Sequence, residues 1–409
     1  MLSRKWWLVL SALVVAASAT TIRRFNQDDD IIGEDDEAFD EYDEFDSNNV
    51  TSVGGRKGKI LFPFVSIVRF ANTECSTANS MNGTCLARRE CNNLNGTITG
   101  TCATRRGRCC VVSRTCGTTT NVNNTYFSSP GYPAAYAGGP ACSMIVNRCN
   151  ANVCQLRIDF LDLVLAQPDG DGNCVTDSIS VTGGNTIVPL LCGDLTGQTI
   201  FVDFNGNTAI TIVVSATLAT TFARRWNIRL VQLGCDCPGI APNGCLQYYT
   251  GITGTINSFN YGTAANTVLS ASLVTGTRQI VNLNYGICIR MEAGYCAIQY
   301  SQVAGDAFSF TLTGDVEGAD NTVLGTQLGA VNGANCLTDF VVIPNPTVAA
   351  TALAAGTDRF CGLGFVPVQS AAKPFVLYVV TNANEGATAA TPPDIANRGF
   401  SLAYTQIAC

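Results

Sequence analysis

No histidine occurs anywhere in the 409 residues. That absence excludes a Ser-His-Asp triad, whose base is an imidazole, and the H-E-x-x-H helix of metalloproteases. No G-x-S-x-G elbow and no Walker loop is present either. A carboxylate pair of the glycosidase kind needs no motif. The internal repeat described below, however, accounts for nearly every acid as a strand or turn residue. The 20 cysteines contain no C-x2-C knuckle, so a structural zinc site has neither its histidines nor its paired thiolates. Charged residues make up only 13% of the chain, and no long window carries a helical apolar stripe. Beyond the N-terminus no apolar run is long enough to span a membrane, and no hydrophobic tail suggests a lipid anchor. No basic stripe stands out, which speaks against nucleic acid. RKGK (56–59) and ARRW (223–226) read as solvated surface.

What is there points outward from the cell. Twenty cysteines persist as disulfides only in oxidising surroundings. Residues 1–19 combine Arg4 and Lys5 with the apolar run WWLVLSALVVAA and a small-residue ending, the pattern of a cleaved signal peptide. Residues 20–60 follow as an acidic segment. Its block 28–46 holds 12 of the 31 acidic residues, repels itself, and is expected to be a disordered spacer or an anionic arm, with Tyr42 a candidate for sulfation. Asn49, Asn82, Asn95 and Asn123 each open an N-x-S/T sequon.

Residues 70–112 read as a small module stapled by Cys75, Cys85, Cys91, Cys102, Cys109 and Cys110. So short a segment cannot build a sufficient apolar core alone. Its 15 pairings stay open at this stage. Beyond it the chain repeats itself. FARRWNIRLVQLGC (222–235) and ANRGFSLAYTQIAC (396–409) end alike, on a cysteine. Cys116…SSPGYP matches Cys245…NSFNYG, RCNANVCQLRIDF matches ICIRMEAGYCAIQY, NCVTDSISV matches NCLTDFVVI, and LLCGD matches RFCGL. Five landmarks in one order indicate the same domain twice, over 113–235 and 238–409. Within it CQLRIDF and WNIRLVQL alternate with period two between Gly, Asn and Pro clusters. The fold class is therefore all-β, with two tandem antiparallel β-sandwiches behind the small module.

The six cysteines that end in an adjacent pair resemble the clip domains of extracellular arthropod proteins. The first repeat, with Cys116, FSSPGYPAAY, Cys142, the C-x2-D of Cys174 and Asp177, LCG at Cys192 and the closing R-x-W-x-I strand, resembles a CUB domain; the second resembles a divergent one. The whole is similar to secreted arthropod CUB-domain proteins. The resemblance implies bridges Cys116–Cys142, Cys174–Cys192 and Cys336–Cys361. No cysteine lies near 281, where a partner for Cys245 is expected, so Cys235, Cys237, Cys245 and Cys409 are left to pair among themselves. Cys149–Cys154 and Cys288–Cys296 are expected as bridges across one hairpin in each unit. The family's calcium site uses a Glu, the Asp of C-x2-D and a later Asp. Here the Glu position holds Val164, Asp177 stands alone, and no acid lies between Ala216 and Trp226. Asp169 and Asp171, in a Gly-rich insert expected to be mobile, are the only substitutes at hand. No cofactor is expected, calcium included, and Asp177 and Asp339 are expected to anchor loops by hydrogen bonds. The reading is a secreted, extracellular, non-catalytic binding protein that recognises other proteins through its CUB pair. Two alternatives are a non-catalytic regulator of an extracellular protease cascade, with a protease as partner, and a binder of carbohydrate or cuticle matrix.

Overall fold

Two strands, Arg225–Gly234 and Gly399–Ala408, carry the repeated chain endings, and each forms the spine of one sandwich. Their alternation decides which side faces the core: Trp226, Ile228 and Leu230 are buried in the first, Phe400, Leu402 and Tyr404 in the second. The computed structural model describes residues 70–76, 81–216, 222–268, 277–312, 322–349, 356–383 and 397–409. The segments expected to be a signal peptide and an acidic spacer, with Asn49 and Tyr42, lie outside the described residues.

The module consists of β1 (Glu74–Ser76), β2 (Asn82–Leu86), a single-turn α1 (Arg88–Asn93), β3 (Thr97–Cys102) and β4 (Gly107–Arg114). Its bridges are Cys75–Cys109, Cys85–Cys102 and Cys91–Cys110. It does not stand apart from the first sandwich. Val112–Arg114 at the end of β4 pair in parallel with β6 (Thr125–Ser128), across the expected boundary at 112/113. The buried Tyr126 hydroxyl donates to Asn82 O and accepts from Asn82 N, 2.9 Å each.

The first repeat adds β5 (Thr118–Thr120), β6, β7 (Cys142–Val146), β8 (Val153–Val164), β9 (Ser178–Thr182), β10 (Thr199–Asp203), β11 (Ile210–Ser215) and β12 (Arg225–Gly234). The second contains β13 (Cys245–Tyr249), β14 (Thr253–Asn257), β15 (Asn284–Ile289), β16 (Tyr295–Gln302), β17 (Phe310–Thr311), β18 (Ala330–Asn332), β19 (Phe340–Val342), β20 (Pro346–Val348), β21 (Arg359–Gly362), β22 (Val368–Ser370), β23 (Phe375–Val380) and β24 (Gly399–Ala408). One face of the first sandwich runs β6-β12-β8-β10, the other β5-β7-β11-β9. The second runs β14-β24-β16-β22 and β13-β15-β23-β19, the same order twice, with β17, β18, β20 and β21 added. The sheets are mainly antiparallel. The exceptions among the described residues are β4–β6, β5–β7 and β13–β15, which are parallel.

The bridges follow the same doubling. Cys116–Cys142, Cys174–Cys192 and Cys336–Cys361 form. The two expected hairpin bridges do not. Cys154 pairs with Cys235, and Cys296 with Cys409. In both units the terminal cysteine lies beside the hairpin strand, its N–H donating to Asn152 O (2.8 Å) or Gly294 O (2.9 Å). Cys288 is the partner of Cys245, placed by the parallel β13–β15 pair. Each unit therefore carries the same three bridges. Cys149, exposed, and Cys237, half-buried, remain as thiols.

Residues 67–409 form one compact unit, and the two sandwiches meet over a built interface. Phe201 and Tyr248 meet edge to face at 5.9 Å. The Gln155 side chain exchanges two hydrogen bonds with the Ala241 backbone, at 3.0 and 2.9 Å. Asn260 of the second unit is buried. Its Oδ1 accepts from Asp194 N (2.9 Å), and its Nδ2 donates to Gln167 Oε1 (2.8 Å) and Arg278 O (2.7 Å).

That hub explains the glycine in LLCGD. Gly193 has φ +81°, and a Cβ there would run into the Asn260 amide. Gly193→Ala is expected to cost about 3 kcal/mol, from left-handed strain and overpacking together. Urea denaturation of the whole chain measures it, and Asn260→Ala in the same background should return the overpacking share.

Candidate functional site

The loop end of the first sandwich holds the residues that a calcium site would use. Asp177 precedes β9, Val164 ends β8, and Arg224 immediately precedes β12. Arg224 was expected as part of a solvated patch, and the structure corrects this: its side chain is fully buried. Its backbone enters the strand by fixed contacts, its N–H donating to Phe222 O (3.1 Å) and its C=O accepting from Tyr136 N (2.7 Å). Trp226, two residues on, is buried and packs edge to face with Tyr136 at 5.3 Å.

Arg224 Nε lies 3.0 Å from Asp177 Oδ2, with both side chains removed from solvent. The same oxygen accepts from Ala166 N at 2.9 Å, and Arg224 Nη1 donates to Ala216 O at 3.3 Å. Burial pushes the Asp177 carboxyl above its ordinary range; the Ala166 N–H and the Arg224 charge pull it partway back. The one carboxylate left of the family's set thus already faces a cation, supplied by the chain. Calcium needs six to eight oxygens. Around Asp177 the other positions are Val164 and a backbone at Ala216 that Arg224 engages, so this donor set does not fit the ion.

Of the two substitute acids, Asp169 is committed to a local turn. Asp169 is buried, and its Oδ1 accepts from Asp171 N (3.1 Å) and Asn173 N (2.8 Å), closing an Asx turn within the Gly-rich insert. Among the described residues no group of three or more His, Cys, Asp or Glu side chains converges. In the second unit Asp339 is buried and accepts from Asn382 N at 2.8 Å. Arg398 lies eleven residues before the last cysteine, as Arg224 does, and is buried with its guanidinium 5.1 Å from the centre of the Phe308 ring.

The sequons differ in placement. Asn95 is exposed in a turn with φ 47°. Asn82 is half-buried and its amide donates to Glu74. The Asn123 amide is engaged on both sides: Oδ1 accepts from Asn124 N and Gln232 N at 2.8 Å, and Nδ2 donates to Gln232 O at 3.3 Å.

A feature that sequence reading missed lies on the second unit. A cleft of about 230 Å³ is lined by Val331, Leu363 and the Cys336–Cys361 bridge, with Asn335, Thr338 and Asp339 at its polar side. Leu328 and Leu337 flank it, 86% and 73% exposed. Both are unremarkable in the sequence, since nothing in GTQLGA or NCLTD marks an outward leucine.

Comparison with known proteins identifies the family. A CUB domain family model matches residues 116–229, and an animal CUB domain model matches 242–407. The chain belongs to the CUB family and carries two CUB domains in tandem. Solved structures with the same module include the CUB1-EGF-CUB2 domains of rat MASP-1, at 13% identity over 70% of this chain and 99% of that one, with a TM-score of 0.23. The MASP-1 CUB2 domain bound to Ca²⁺ matches at 18% identity over 28% of this chain and 98% of that one, TM-score 0.24. The full extracellular region of zebrafish Gpr126/Adgrg6 matches at 13% identity over 71% of this chain and 36% of that one, TM-score 0.24. No curated protein matches the chain in a sequence comparison. CUB domains are non-catalytic modules that mediate protein–protein interaction. Among the described residues no helix is long and apolar enough to cross a membrane.

Proposed function

We propose that this is a secreted, non-catalytic protein that recognises an extracellular protein partner through its CUB pair. The observation that carries the reading is the Leu328–Leu337 cleft, an apolar patch with a polar rim. Protein interfaces have that anatomy. Binding to sugar rings instead favours a cluster of exposed aromatics. Phe222 and Tyr378 are the exposed large aromatics among the described residues, one in each unit. The interface around Asn260 holds both domains as one scaffold, which suits loop-borne recognition. The disulfide density supports an oxidising, extracellular setting.

The test is capture of partners from extracellular fluid by the whole protein, by a Leu328→Asp/Leu337→Asp variant, and by a Leu161→Asp control on the first unit. Loss of the captured protein only in the double variant is expected. Equal capture by all three refutes the cleft as the contact.

The same reading makes the first CUB domain calcium-independent. Millimolar Ca²⁺ against EDTA is expected to leave the melting temperature of the protein unchanged. A rise that Asp177→Ala abolishes would show a working site despite Arg224.

A further inference from the structure

The module carries six arginines, Arg88, Arg89, Arg105, Arg106, Arg108 and Arg114, against two acids, Glu74 and Glu90. Strand pairing gathers five of them at one end. Leu86 is opposite Arg108 across β2–β4, and Cys102 is opposite Gly107 across β3–β4. The chain leaves β2 directly into Arg88 and Arg89, and the turn 103–106 connects β3 to β4 beside it. The Cys85–Cys102 bridge ties the two segments at this end.

The turn itself is held in an uncommon shape. Ala103, Thr104 and Arg105 all have left-handed backbones, at φ 49°, 53° and 68°, and Arg106 N donates to Ala103 O at 3.1 Å. Arg88, Arg89, Arg105 and Arg106 are exposed, and Arg108 is half-buried. In the sandwiches, Arg157, Arg224, Arg225, Arg229 and Arg290 each meet a carboxylate. Among the described residues no carboxylate is within ion-pair distance of Arg89, Arg105, Arg106 or Arg108. Of the module's acids, Glu74 is turned to Arg229 and Asn82.

We infer that this arginine end is a docking surface for a sulfated polysaccharide. A guanidinium fork can donate to two oxygens of a sulfate or carboxylate group, and several such forks at one end suit a linear polyanion. The surroundings favour a glycan over a protein. A protein interface needs an apolar centre, and the module's one exposed large apolar side chain, Ile98, lies up β3, opposite Cys110 and away from the turn. An acidic peptide remains the competing class that the experiment must separate. This surface is distinct from the leucine cleft, so the protein would join a polyanionic matrix to a protein partner.

The experiment uses the full chain on immobilised heparin at about 0.15 M NaCl, where charges act over about 8 Å. Variants are Arg89→Ser/Arg105→Ser/Arg106→Ser and the same three positions changed to Lys. Wild type should bind in a salt-dependent way, and the Ser variant should bind about tenfold more weakly. The Lys variant keeps the charge and should retain most of the binding, which controls for folding. Poly-glutamate should compete far less well than soluble heparin. Absence of wild-type binding overturns the proposal, as does a Ser variant that binds like wild type. Poly-glutamate that competes as well as heparin would reassign the surface to acidic peptides.

Discussion

Arg224→Met is expected to destabilise the protein by about 3–5 kcal/mol at neutral pH, because it leaves the buried Asp177 carboxylate without its cation. Methionine fills comparable volume, so the loss is electrostatic more than steric. The double variant Asp177→Asn/Arg224→Met removes both charges and should recover most of that loss, since a buried pair contributes little over neutral isosteres. The pH dependence has a fixed sign. A carboxyl whose folded pKa lies above its unfolded value favours folding when protonated, and the charged form loses stability as pH rises through that window. Burial already raises Asp177 with Arg224 present. Without Arg224 the carboxyl rises further, so the deficit of Arg224→Met should shrink as the pH falls toward the carboxylate range. Urea denaturation at neutral and mildly acid pH measures both effects. A deficit that is independent of pH would mean that Asp177 is not the group left uncompensated.

The repeat was legible because it is written in landmarks that the fold needs twice. The terminal cysteines and the alternating spines around Trp226 and Phe400 occupy matched positions, and the strand order doubles with them. The anchoring role of Asp339 was also within reach of the C-x2-D pattern. The hairpin bridges failed for a physical reason. Spacing favours closure within one hairpin, but β8 pairs with β12, and β16 with β24, so the cysteine across the sheet is nearer than the one along the chain. The signal was in the repeat itself, because Cys154 and Cys296 match, as do Cys235 and Cys409. Arg224 was misread because the register of β12 is not visible in ARRW; one residue decides between solvent and the buried site. The arginine end was missed for a similar reason. Arg89 and Arg105 are 16 positions apart in sequence, and only the strand pairing brings their segments to one end of the module.

Removing the Cys154–Cys235 bridge as a Ser pair is expected to cost about 4–5 kcal/mol, whereas Cys149→Ser should leave stability within about 0.5 kcal/mol of wild type. The first figure follows from the 81-residue separation that the bridge closes. In the chain-entropy model a bridge between positions five apart would restrict the unfolded chain by only about 2 kcal/mol. Cys149 is near enough in sequence to Cys154 to compete during oxidative folding, but in the folded protein its N–H is held by Gln232 Oε1 at 2.7 Å. Desolvation by its surroundings also pushes its thiol up, which lowers the thiolate fraction available to attack the neighbouring bridge. Alkylation of the denatured, unreduced protein should therefore label Cys149 and Cys237 alone. Peptide mapping would join 154 to 235 and 296 to 409. Recovery of a 149–154 peptide, together with a large cost for Cys149→Ser, would reverse the assignment and return the terminal cysteine of the first domain to a different partner.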